Sequence, residues 1–227
     1  MAERDDIRER AMDVIFRIEA AERASGRPKG SVRLVAVSKR KPAEAIVAAW
    51  DAGVSEFGEN YVQEAALKAG SIPVGAKLHL VGSLQRNKAR KAATLFSMIQ
   101  SVDSPEIAAA LDRAAAEAGR KLEVLIQVNV AMERTKAGIC AESMIELAEK
   151  AAGLPALRLR GLMVIPPSEC SDAFFPEARS LFEAARDRLG RDSGFDVLSM
   201  GMSQDFEKAI ECGSTMVRVG RAIFGER

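Results

Sequence analysis

Hydrophobic positions along the chain fall in short blocks separated by longer amphipathic stretches. The first block, VRLVAV at residues 32–37, holds five apolar residues between Gly30 and Pro42. Such a run reads as a strand buried on both faces. Further blocks follow at 54–57, 77–81, 98–102, 122–130, 157–165, 197–200 and 216–219. Helical periodicity fills the intervals near 61–69, 87–96, 105–118, 141–152, 174–190 and 204–212. Pro42 opens one more helix that runs to Ala52, where Gly53 takes the C′ position. Residues 2–25 form a leading helix with Ile7, Ala11, Val14, Ile15 and Ile18 on one face, closed by Gly26 and Pro28.

Strict alternation of strand and helix predicts an α/β protein with a parallel sheet. Eight units favour closure into a single (β/α)8 TIM barrel over an open doubly wound sheet. No Pro/Gly/Ser-rich linker or shift in composition divides the chain. The expectation is one barrel domain over 1–227, with 1–26 an added N-terminal helix packed on it.

Composition narrows the function. Lys plus Arg is 33 and Asp plus Glu is 32, so no net field attracts nucleic acid or an acidic membrane. The N-terminus, MAERDDIRER, is charged where a signal peptide would be apolar, and no run approaches the ~18 residues needed to span a bilayer. A cytoplasmic protein is expected. Cys140, Cys170 and Cys212 are odd in number and far apart, which suggests neither a disulfide framework nor a zinc cluster. His79 is the single histidine, which removes most metal-ligand sets. Catalysis, if any, would rest on lysine, a carboxylate or a cofactor.

In a barrel, functional residues lie just after the strands. Lys39 falls there after the first, Asn60 after the second, Met202 and Ser203 after the seventh, and Gly220 after the eighth, which carries Arg218 near its end. Gly58, Glu59, Gly82, Asp103 and Asn129 occupy equivalent places. Ser203 has the type and position of an N-cap for a helix beginning near Gln204, and Gly220 for a short helix 221–224. Two helix N-termini after strands seven and eight would present backbone N–H groups to a phosphate. Strand eight pairs with strand one on closure, so Lys39 neighbours that cradle. A ligand carrying both an aldehyde and a phosphate would bridge them. Pyridoxal 5′-phosphate, joined to Lys39 as a Schiff base, is one; a phosphorylated aldose is another.

The segments AVSKRKP, FGENYVQE, HLVGSLQRNK, LIQVNV, RTKAG, LRGLMVIPP, LSMGMSQDFEKAI and GSTMVRVGRAIFG occur in this order from about residue 32 to 226. Together they resemble the YggS/PROSC family of pyridoxal-phosphate homeostasis proteins. The resemblance implies a fold-type III barrel like the N-terminal domain of alanine racemase and a pyridoxal phosphate cofactor on Lys39. It further implies that Ser203 and Gly220 meet the phosphate, that Arg218 faces the pyridine nitrogen, and that Asn60 and Met202 line the ring pocket. Lys136, in RTKAG, matches a lysine implicated in cofactor handling; His79 is either a packed strand residue or a ring contact. Loop 168–176 has no matching family pattern.

The implied function is intracellular homeostasis of pyridoxal phosphate, as carrier, buffer or regulator, without strong turnover and with apo-enzymes as recipients. An arginine at the pyridine nitrogen disfavours its protonation and weakens the cofactor as an electron sink. The resemblance implies that a racemase of this architecture takes a second acid/base tyrosine from an added β-domain, for which the chain is expected to have no residues left; a monomer is expected. The alternative is a racemase-like pyridoxal-phosphate enzyme, and a third reading is a sugar-phosphate barrel enzyme.

Overall fold

The computed structural model describes residues 2–131, 137–166 and 171–226. Eight parallel strands close in sequence order into a barrel: β1 (Arg33–Val37), β2 (Glu56–Glu59), β3 (Lys77–Leu80), β4 (Met98–Val102), β5 (Leu122–Val128), β6 (Leu157–Val164), β7 (Val197–Ser199) and β8 (Met216–Val219). Helices α2 (Ala43–Asp51), α3 (Val62–Lys68), α4 (Ala89–Leu95), α5 (Pro105–Glu117), α6 (Ala141–Ala152), α7 (Ser171–Leu189) and α8 (Phe206–Glu211) alternate with them. The leading helix is α1 (Ala2–Ala24), and α9 (Arg221–Phe224) follows β8. Among the described residues, no helix is long and apolar enough to cross a membrane.

Local chemistry sets these boundaries. Ser104 caps α5 by accepting the Ile107 N–H at 3.3 Å, and Pro105 takes the first helical position, where its missing N–H is no loss. Gly53, with φ +98°, ends α2 in the left-handed region. The second strand differs from its expectation of 54–57 and runs over Glu56–Glu59. Val54 supplies an apolar signal, but its N–H turns back to the Ala49 carbonyl at 3.1 Å and belongs to the end of α2. The ladder begins instead at Glu56, a carboxylate that an apolar pattern passes over.

Alternation along each strand sorts side chains into two cores. Ala36, Phe57, Leu80, Ile99, Ile126, Leu162, Leu198 and Val217 face outward and pack beneath the helices. Val35, Met98, Leu125, Met163, Val197 and Met216 form a separate apolar cluster inside the ring. The interior is not wholly apolar: Glu56, His79, Gln100, Ser199 and Arg218 are also buried. The ring closes where β1 pairs with β8, with Val35 opposite Arg218 and Ala36 opposite Val219.

The leading helix packs across α2, α8 and α9. Ile7, Ala11, Val14 and Ile18 are buried there. Arg10 Nε donates to the Ile223 carbonyl at 2.9 Å, and Arg17 Nε donates to Glu207 Oε1 at 2.7 Å. Glu22 joins α1 to the first strand: it is buried and accepts from Gly30 N–H at 3.0 Å, Ser31 Oγ at 3.2 Å and Val32 N–H at 2.7 Å. Replacing it strands two backbone donors, at about 1–3 kcal/mol each. Glu22→Ala is expected to lower Tm by about 5–10 °C in a thermal melt. A melt within 1–2 °C of the wild type, inside the shift expected for a surface change, would show that water replaces the carboxylate at no loss.

Candidate functional site

Lys39 stands just beyond β1 between two anchored neighbours. On one side, Ser38 N–H donates to the Gly58 carbonyl at 2.9 Å and Ser38 Oγ donates to Glu59 Oε1 at 2.7 Å. On the other, Arg40 adopts a left-handed backbone, φ +61°, and its N–H donates to Glu64 Oε1. Such a conformation is rare for a side chain with a Cβ and persists where its surroundings fix it. Lys68 Nζ ties the two halves together, donating to the Ser38 carbonyl at 3.0 Å, Glu59 Oε1 at 2.9 Å and Glu64 Oε1 at 2.7 Å. Burial raises the pKa of Glu59, against the opposing pull of Lys68 and Ser38.

Across the seam, the β7 and β8 loops meet. Gly201, φ +95°, turns the chain out of β7 where a Cβ would lie 2.6 Å from the Ala209 Cβ. Met202 N–H then donates to Asp205 Oδ1 at 2.6 Å. Ser203 was expected to cap the helix starting near Gln204; instead α8 begins at Phe206 and its N-cap is Asp205. The reason lies in the neighbouring loop. Ser203 Oγ accepts Gly220 N–H at 3.2 Å and Ala222 N–H at 3.3 Å, so it serves the first turn of α9, whose N-cap is Gly220 as expected. With its lone pairs engaged by amides, the Ser203 hydroxyl has its proton left to donate.

Arg218 points into the barrel and is 5% exposed. Its Nη1 donates to Ser199 Oγ at 2.7 Å and its Nη2 to the Val164 carbonyl at 2.8 Å. Burial pushes its pKa down to about 10, so it remains charged at neutral pH.

These groups share one cavity of about 610 Å³ at the carboxyl ends of the strands, a size suited to a small ligand. Lys39, Asn60, Met202, Ser203, Arg218 and Gly220, the six positions singled out from sequence, all line it. Asn60 is held close by Gly82, where a Cβ would lie 2.3 Å from the Asn60 carbonyl oxygen. Sequence reasoning missed the apolar walls, Val37, Val81 and Ile165. Their signal was present: each follows directly on, or ends, an apolar strand run. It also missed Asp205 and Arg221 at the rim. Asp103 and Asn129 do not line the cavity, and neither does His79, which is fully buried inside the ring. Lys136 and residues 168–170 of loop 168–176 lie outside the described residues. Among the described residues, no group of three His, Cys, Asp or Glu is placed to hold a metal ion.

The eight-stranded α/β barrel thus gathers a lysine, the joined β7 and β8 loops and a buried arginine around one cavity at its mouth. The profile of the alanine racemase N-terminal domain matches residues 17–227. The pyridoxal phosphate homeostasis protein of Pasteurella multocida is 43% identical over 219 residues, 92% of this chain and 93% of that one. The chain therefore belongs to the family of pyridoxal phosphate homeostasis proteins, within the alanine racemase N-terminal-domain fold. PipY of Synechococcus elongatus, solved with PLP bound, is similar with a TM-score of 0.80 and 37% identity, over 96% of this chain and 100% of that one. Alanine racemase from Corynebacterium glutamicum shares the fold, with a TM-score of 0.74 and 17% identity over 99% of this chain and 61% of the racemase.

The buried interior below the cavity has a pH signature. Burial first, then the charges of Arg33 and Lys77, lower the His79 pKa to about 3. An unfolded histidine titrates near ~6.5, so between these values the unfolded chain holds a proton that the native chain does not. Stability from this group is thus complete above the unfolded pKa and is lost as pH falls, by up to ~1.4 kcal/mol per pH unit. Urea unfolding between about pH 6.5 and 5 is expected to show this slope in the wild type and not in His79→Gln. Parallel slopes in the two proteins would mean that His79 is protonated in the fold.

Proposed function

We propose that this chain binds pyridoxal 5′-phosphate through a covalent bond to Lys39 and acts in its intracellular homeostasis, holding and releasing the cofactor without strong turnover. The observation that carries the reading is that Lys39, the Ser203/Gly220 cradle and Arg218 line one cavity. Family membership and the relative solved with PLP bound support it. When bound, the cofactor supplies an aldehyde for a lysine amine, an anionic phosphate, and an aromatic ring with a basic nitrogen.

The residues suit those three parts. Lys39 provides the amine at a backbone position fixed by Ser38 and Arg40. The Ser203 hydroxyl donates its proton to the phosphate, beside the Gly220 turn at the start of α9. Val37, Val81 and Ile165 offer apolar walls for the ring, with Asn60 and Met202 at its edge. Arg218 has only donors, so toward a ring nitrogen it favours the unprotonated form and weakens electron withdrawal from any bound amino acid. Tyr61, the single tyrosine, is half exposed at the N-cap of α3 and does not line the cavity, so the chain brings no phenol to a second face of the ring. These features favour a carrier over a racemase. In that role the chain works as a monomer and the cofactor passes to apo-enzymes in the cytoplasm.

Wild type incubated with pyridoxal 5′-phosphate is expected to turn yellow and, after borohydride reduction, to carry the cofactor on Lys39 by peptide mass. Lys39→Ala should carry none. Ser203→Ala should still be modified but bind at least about tenfold more weakly, the effect of one charge-assisted hydrogen bond. A wild type that stays colourless would remove the reading; rapid exchange of an amino acid's α-proton in deuterated water would replace it with the racemase one.

A further inference from the structure

Behind Arg218, a file of buried polar side chains crosses the barrel interior from the cavity to the opposite end. Arg218 Nη1 meets Ser199 Oγ at 2.7 Å, and Ser199 Oγ meets Gln100 Oε1 at 2.7 Å. Gln100 Nε2 meets His79 Nδ1 at 3.0 Å. His79 Nε2 then stands 3.5 Å from Glu56 Oε2 and makes no hydrogen bond among the described residues. Glu56 is paired with Arg33 Nε and Nη2 at 2.9–3.1 Å. Five strands contribute, β2, β3, β4, β7 and β8, each through an inward position.

The file has one favoured polarity. A guanidinium only donates, so Ser199 accepts from Arg218 and passes its own proton to Gln100 Oε1. The Gln100 amide nitrogen therefore faces His79 Nδ1, which accepts, and the imidazole proton sits on Nε2, toward Glu56. Reversing the amide would leave the Ser199 hydroxyl with no acceptor in the file. It would place an amide oxygen, rather than a donor, 3.1 Å from Met216 Sδ. It would also turn an Nε2 lone pair toward the Glu56 carboxylate. All three consequences are unfavourable in a dry interior.

We propose that Ser199, Gln100 and His79 form a unidirectional donor file, faced at its end by the Glu56 carboxylate, that positions Arg218, holding its guanidinium in one orientation at the ring end of the cavity. These are positioning residues: none but Arg218 lines the cavity. Their effect on a bound ring rests on the pyridoxal-phosphate reading given above, whereas the orientation of the guanidinium does not.

The single histidine makes the test site-specific. Cofactor-free protein labelled with ¹⁵N-histidine is expected to show His79 as the Nε2–H tautomer; the Nδ1–H tautomer would overturn the proposal. With arginine labelled instead, and the Arg218 signals assigned by their loss in Arg218→Lys, guanidinium N–H exchange with water should be slow in the wild type. In Gln100→Leu it should be at least about tenfold faster, because one link has been removed. If that variant does not fold, Ser199→Ala, which deletes a single oxygen, makes the same test. Folded Gln100→Leu or Ser199→Ala with wild-type exchange would overturn the proposal. Release of pyridoxal 5′-phosphate should also accelerate in these variants, with a shifted pH dependence of the visible absorbance, in the direction of Arg218→Ala. A merely structural role would lower Tm but leave that titration in place, and this result too would overturn it. A wild type that binds no pyridoxal phosphate would sink the functional reading while leaving the tautomer and exchange arms to decide the file.

Discussion

Closing eight parallel strands into a ring leaves an interior that only residues at alternate strand positions can fill. In this chain those positions carry two materials. Val35, Met98, Leu125, Met163, Val197 and Met216 pack as an apolar cluster, while Glu56, His79, Gln100, Ser199 and Arg218 place polar groups among them. A buried polar group without a partner costs about twice what a satisfied one returns. Here Arg218, Ser199, Gln100 and His79 Nδ1 bond to one another, while His79 Nε2 lies 3.5 Å from Glu56, whose charge Arg33 meets. The outer core of leucine, isoleucine, phenylalanine and alanine under the helices carries the burden of hydrophobic stabilisation.

The mouth of the barrel follows from the same closure. Pairing of β1 with β8 sets Val35 beside Arg218, so the loop carrying Lys39 and the loop carrying Gly220 have no choice but to adjoin. Ser203 then links the β7 loop to the first turn of α9 through two amides. The β7 and β8 loops are thereby tied to each other, while Ser38 ties the start of the β1 loop to β2. On the far side of Lys39, the Glu59, Glu64 and Lys68 group fixes the left-handed residue Arg40. A cavity whose loops are already bonded to their neighbours loses little conformational freedom when a small molecule enters it.

Much of this was legible in the sequence because it rests on local signals. The eight apolar blocks mark strands whose order alone implies the barrel, and Pro42 and Gly53 mark helix ends by their own backbone preferences. Lys39, Ser203 and Gly220 stand out because strand ends are where a barrel places its ligand groups. What could not be read has a common cause: it depends on partners far apart in the chain. Glu56, His79, Gln100 and Ser199 are polar residues set in strands, and only closure and register bring them into line. The same holds for Ser203, whose local pattern suggests its own helix but whose hydroxyl is claimed by a loop beyond the next strand. At Val54 the difficulty is reversed, since an apolar residue signals strand while its amide closes the preceding helix.

The seam between β1 and β8 has a kinetic meaning as well. Residues 33–36 and 216–219, which pair across it, lie at opposite ends of the chain, whereas every other pair of neighbouring strands is consecutive in sequence. Bringing the two together closes the longest loop in the fold, and the entropy of that closure must be met before its contacts form. A chain that has assembled only its first six strands already displays Lys39 but has neither Ser203, Arg218 nor Gly220 beside it. Completion of the ring and completion of the cavity are thus a single event on the folding pathway. Opening of this one seam would dismantle the cavity while most of the barrel stayed paired.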